Sequence, residues 1–206
     1  MRETLRHRHL AVGFLVTLGL AGVGWTASAD QTAPLGMILW VRDTAQVPDN
    51  VLTDAQTEVT RIFRQAGVEA VWRAPSSSSA APGERWLIIA ILSREQTERL
   101  FPALTGDEVG TAASSSPTRR ANVAYVFYDR VERLTGGDGF HLGPVLGAAM
   151  AHEIGHLLLD NAHSQTGLMR AHWTKADLQL VQRSELFFTA EQGELIRNRI
   201  TNVRQQ

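Results

Sequence analysis

Compact apolar runs alternate along this chain with stretches in which apolar residues recur every three or four positions. Residues 36–42 (Gly-Met-Ile-Leu-Trp-Val-Arg) form an apolar run of strand length. Thr53 and Gln56 then stand at capping-box spacing, and Val59, Ile62, Phe63 and Ala66 follow at helical spacing until Gly67 stops the helix. Strand composition returns at 68–73 and 86–92, separated by a Ser-, Ala- and Pro-rich surface loop. Strand, helix and strand in that order predict a parallel βαβ start.

Ser93 and Gln96 repeat the capping-box spacing and open a short helix that Pro102 follows. Residues 121–129 again have strand composition, so 109–113 is expected to pair with them as an antiparallel edge across a Ser-Ser-Pro-Thr turn. After a glycine-rich connection at 135–143, Pro144 suits the first position of a helix that runs to Leu159. Gly147, Ala148, Ala149 and Ala151 let that helix pack closely. Two further helices are expected, capped by Thr174 with Asp177 and by Thr189 with Gln192. The expected fold class is α/β, of the α+β kind. It has a mixed, partly parallel sheet with an antiparallel edge strand, backed by helices, and a short helical C-terminal part.

The first 29 residues have a different character. A basic start (Arg2, Arg6, Arg8), an apolar run at 10–25 and Ala27-Ser28-Ala29 describe a cleavable secretory signal, with cleavage before Asp30. One domain is expected over 30–206, exported to a periplasm or secreted, with no stable membrane association once the signal is removed. Cleavage takes three of the 20 basic residues and one of the 21 acidic ones, leaving 17 against 20. That balance has no basic stripe with interleaved aromatics, so nucleic acid is not an expected partner. Cysteine is absent, so no disulfide framework exists and any metal must be held by His, Asp or Glu.

Those residue types converge in one place. His152-Glu153-Ile154-Gly155-His156 matches H-E-x-x-H inside the predicted helix, which places both imidazoles on one face. Two such histidines reach one Zn²⁺, and Glu153 stands where a carboxylate can take a proton from the attacking water. A catalytic zinc site usually has three protein ligands. His163 is the leading candidate for the third, because Asp160 and Asn161 readily turn a chain out of a helix. Asp160, His172 and Glu185 are the alternatives. His172 and Tyr128 are weaker candidates for donating to a developing oxyanion. His7, His9 and His141 have no ligand spacing.

The stretch from His152 through His163 to Gly167-Leu168-Met169 resembles the metzincin clan of zinc metallopeptidases, and the order of predicted elements resembles the metzincin N-terminal subdomain. The resemblance implies a zincin-like fold in which His152, His156 and His163 bind Zn²⁺, Glu153 is the general base and Met169 packs beneath the metal. The chain departs from the clan's H-E-x-x-H-x-x-G-x-x-H: Leu159 stands at the glycine position and the third histidine arrives one residue late. Archaemetzincins are similar in size and sheet order, but their cysteine-bound second zinc has no ligands here. The expected function is an exported zinc metalloendopeptidase acting on peptide or protein substrates. The rivals are a non-catalytic exported zinc-binding or interaction module and a zinc amidase acting on a non-protein amide.

Overall fold

The sheet starts from the first expected run. In the computed structural model, which describes residues 35–74, 86–104, 106, 108–114, 122–136, 139–160 and 163–204, β1 spans Gly36–Asp43. Helix α1 (Asp49–Gln65) carries the chain over to β2 (Glu69–Trp72). Then come β3 (Trp86–Leu92), α2 (Arg94–Leu100), β4 (Gly110–Ser114), β5 (Asn122–Phe127) and α3 (Tyr128–Thr135). Helices α4 (Leu142–Leu158), α5 (Lys175–Gln182) and α6 (Ala190–Arg204) complete the chain. The signal-like residues 1–29 lie outside the described residues. No described helix is long and apolar enough to cross a membrane.

The strands form one five-stranded sheet in the order β2-β1-β3-β5-β4. β1 pairs in parallel with β2 and β3, β3 in parallel with β5, and β4 antiparallel with β5 at the edge. The protein is therefore mixed α/β, with a mostly parallel sheet and an antiparallel edge strand, as the apolar pattern predicts. Side chains alternate across the sheet. Met37, Leu39, Leu87, Ile89, Ile91, Ala124 and Val126 join the main core with α1 and α4, while Ala90, Leu92 and Phe127 form a smaller cluster with Phe101 and Leu104.

Helix α4 is the centre of the core. Apart from His152, Glu153 and His156 it is apolar, and nearly all of its residues are buried, the pattern of a helix enclosed by its neighbours rather than lying on a surface. Its glycines explain how closely it meets α1. A Cβ on Gly143 would come 2.5 Å from Asp54 Cβ, and one on Gly147 2.5 Å from the Ala55 carbonyl oxygen. Either addition would push the two helices apart.

Three local expectations are corrected. α1 starts at Asp49, behind Pro48, with no side-chain cap, and Thr53 lies inside it, its hydroxyl donating to the Asp49 carbonyl at 2.8 Å. α4 begins at Leu142, so Pro144 occupies its third position, where the missing N–H still has no partner to lose. Tyr128 and Asp129 are not the end of a strand but the first turn of α3, which follows β5 without a loop. The caps at Ser93/Gln96 and Thr174/Asp177 form as reciprocal boxes, and Thr189 and Gln192 exchange the same pair of bonds.

Candidate metal centre

α4 brings His152 and His156 to one face because they are four residues apart. His152 is buried, and its Nδ1 lies 2.7 Å from the Leu168 carbonyl oxygen. A carbonyl only accepts, so Nδ1 carries the proton and Nε2 keeps its lone pair for a ligand. The helix ends at Leu158, and Asp160 adopts φ 53°, a left-handed conformation that Asp tolerates and that redirects the chain. The return brings an exposed His163 against the two helical rings.

The three ring centroids are 4.7 Å (His152–His156), 4.7 Å (His156–His163) and 5.5 Å (His152–His163) apart. One ring nitrogen from each lies within 4.8 Å of the other two, and this is the only such group of potential ligands among the described residues. The three histidines are close enough to hold one metal ion. Ligands about 2.0–2.1 Å from a tetrahedral ion stand roughly 3.4 Å apart, so small side-chain movements would close the cluster on a metal. Of the alternative third ligands, Asp160 pairs with Arg199 at 2.9 Å and Glu185 with Arg183 at 2.9 Å, away from the cluster.

The electrostatics fit a cation. Burial lowers His152 to about 4, the Leu168 carbonyl working in the opposite sense. Burial also lowers His156 to about 4, helped by His152 and His163. Both rings are therefore neutral near pH 7, the form that ligates a metal. Burial alone pushes Glu153 up to about 8. Its Oε2 and the Nδ1 of His156 are buried with no hydrogen-bond partner. Orphaned buried polar atoms are unfavourable, and a metal with its associated water would satisfy atoms of this type.

Two glycines shape the surroundings. A Cβ on Gly110, at the start of edge strand β4, would stand 2.6 Å from Glu153 Cγ and 2.5 Å from the Tyr125 carbonyl oxygen. Only glycine lets the edge strand pass this close to the carboxylate. Gly155, between the two helical histidines, leaves the notch into which the Met169 sulfur packs. Met169 is fully buried. It belongs to a tight turn in which the Arg170 N–H donates to the Gly167 carbonyl at 3.2 Å, with Gly167 at φ 75°. Phe187 holds that turn by accepting from the Leu168 N–H at 2.8 Å, and Trp173 Nε1 donates to the Leu168 carbonyl at 3.1 Å. The Leu168 carbonyl thus serves both Trp173 and His152.

A cleft of about 460 Å³ opens beside His152, bordered by Glu108, Val109, α3 and the segment 170–173. His172 lines it. Tyr128 does not; it packs against the main core, where burial and then Glu132 and Asp43 raise its pKa. Sequence reasoning passed over Gly110, Trp173 and the arginines of the cleft. An isolated glycine opening a strand was the available signal for the first. Comparison with known protein families and with curated proteins returns no match.

Proposed function

We propose that this chain is an exported, zinc-dependent metallopeptidase of metzincin type, in which His152, His156 and His163 hold the metal and Glu153 is the general base. The observation that carries the reading is three imidazoles within ligand distance of one another, two of them on the helix that also carries the buried Glu153, whose Oε2 has no hydrogen-bond partner. A purely structural site has no need of such a carboxylate. Zinc, when bound, supplies Lewis acidity that makes water a nucleophile near neutral pH.

The chain's own residues supply the rest. Leu168 fixes the His152 ring through its Nδ1, orienting Nε2 as a ligand. Met169 fills the notch at Gly155 and supports the helix between its two histidines. Glu153 takes the proton of the attacking water and returns it to the leaving amine nitrogen, so the peptide C–N bond is cleaved without an acyl-enzyme. Edge strand β4, unpaired on one side among the described residues, offers an extended peptide backbone hydrogen bonds. The secretory pattern of 1–29 supports export.

Hydrolysis of casein and of mixed peptides by the zinc-loaded chain tests this directly. Glu153→Gln is expected to keep the metal and lose about 10²–10⁴-fold of activity. Full activity in the metal-replete variant would remove Glu153 from the mechanism. Turnover of cell-wall amides without turnover of peptides would favour an amidase.

A further inference from the structure

The walls of the cleft beside His152 carry a charge pattern that hydrolysis alone does not need. Among its described lining residues stand Arg130, Arg133 and Arg170, opposed by a single carboxylate, Glu108. Each guanidinium is paired with a carboxylate, Arg130 with Glu108, Arg133 with Asp129 and Arg170 with Asp177, so what distinguishes the wall is the donors that those pairs leave unused.

The three arginines are engaged to different degrees. Arg130 is a fixed post: Nη2 donates to the Leu104 carbonyl at 2.8 Å, Nη1 to the Glu108 carbonyl at 2.9 Å, and the guanidinium lies 4.9 Å over the Phe127 ring. It also pairs with the Glu108 carboxylate at 3.2 Å, which offsets the one negative charge of the wall. Arg170 donates through Nη1 alone, to Asp177 at 3.0 Å, and its side chain is 38% exposed. Arg133 likewise donates through Nη1 alone, to Asp129 at 2.8 Å, and is 60% exposed. In both, Nε and Nη2 have no hydrogen bond among the described residues. A guanidinium fork with free donors matches a carboxylate. Arg133 can keep its Nη1 bond to the half-buried Asp129 and still offer its free donors to an incoming anion from the exposed side.

We propose that this cleft binds a carboxylate of the substrate, so that the preferred peptides present an acidic side chain or a free C-terminus beside the bond to be cut. The position of that carboxylate beside a scissile bond rests on the metallopeptidase reading, whereas its binding needs no turnover.

Binding is measured by fluorescence anisotropy on zinc-loaded Glu153→Gln protein with three labelled hexapeptides. One has an internal Glu and an amidated C-terminus, the second has Gln in its place and the amide, and the third has Gln and a free C-terminus. At least one carboxylate peptide is expected to bind about tenfold tighter than the neutral one at low salt, with the preference shrinking at high salt. The tighter of the two names the source of the carboxylate. Arg133→Gln and Arg170→Gln should each reduce the preference about threefold, and Arg133→Glu should abolish it. Arg133 is exposed, so its variants test the cleft even if Arg170→Gln weakens folding. Equal binding of all three peptides, or a preference untouched by the Arg133 variants, overturns the proposal. Cleavage by the unsubstituted chain is scored separately. Carboxylate binding without any cleavage removes the peptidase reading and leaves the cleft, and cleavage without carboxylate preference does the reverse.

Discussion

The candidate ligands come from two regions held in opposite ways. His152 and His156 belong to α4, which is buried on all sides and closely packed on α1. Packing leaves their side chains few alternatives. His163 belongs to the irregular segment between α4 and α5, is exposed, and depends on hydrogen bonds for its course. The Ser164 N–H donates to the Met169 carbonyl at 2.8 Å, and the Leu168 N–H to the Phe187 carbonyl. Two corners of the centre are thus built into the core and the third is brought to it by a turn. Residues 163–167 bury no side chain fully, unlike Leu168 and Met169 after them, and such a stretch opens at lower free energy than the core, so a bound metal would tie it to the helix.

That contrast is most sharply broken by removing the metal or its third ligand. His163→Ala is expected to weaken zinc binding by more than about 100-fold, beyond the effect typical of an outer-shell partner. Stripping the wild type with a chelator should accelerate hydrogen exchange in residues 163–167 while α4 keeps its protection. Equal loss of protection in both regions would contradict the division.

Next in size is Gly110→Ala. The added methyl would overlap Glu153 Cγ and the Tyr125 carbonyl, so a loss of about 1–3 kcal/mol is expected in denaturant unfolding, together with reduced activity. An unchanged midpoint and rate would mean that the edge strand yields without disturbing Glu153.

The smallest effect concerns the cap that holds the turn to α5. Burial of Asp177 acts to raise its pKa but is outweighed by hydrogen bonds from Thr174 and by Arg170, so it falls below its ordinary 3.8. A carboxylate depressed on folding stabilises fully above its unfolded value and loses that contribution as pH falls through its folded value. Wild type should therefore weaken below about pH 4, and Asp177→Asn should lose about 1 kcal/mol at neutral pH and show a flatter acid limb. Parallel acid limbs would remove Asp177 from the account.

The same contrast explains what could be read from the sequence. β1, β3 and the apolar helix α4 were legible because burial writes itself as uninterrupted apolar runs, and the caps at Ser93 and Thr174 because reciprocal bonding demands fixed residue types. α1 was placed late because Thr53, inside the helix, mimics a cap by bonding back to Asp49. α3 was missed because Phe127 ends β5 and begins a helix with no turn residue between. Its pattern was nonetheless present: Val131 and Thr135 are buried four apart, and Asp129 and Arg133 pair at the same spacing. The two helical histidines were legible from their spacing alone. The approach of His163 depends on the left-handed Asp160 and on the turn after it, and the arginine cleft depends on the tertiary meeting of α3 with the segment after Met169. Asp160 marked the first of these locally, as a residue that tolerates the left-handed conformation, whereas no local pattern encodes the cleft.

The central claim is one metal ion held by three imidazoles. Its most direct test is zinc content after dialysis against a weak chelator, for wild type beside His152→Ala, His156→Ala and His163→Ala. The account predicts one zinc per wild-type chain and loss of stoichiometric binding in every variant. A wild type that emerges without zinc, or a variant that keeps a full equivalent, would contradict it.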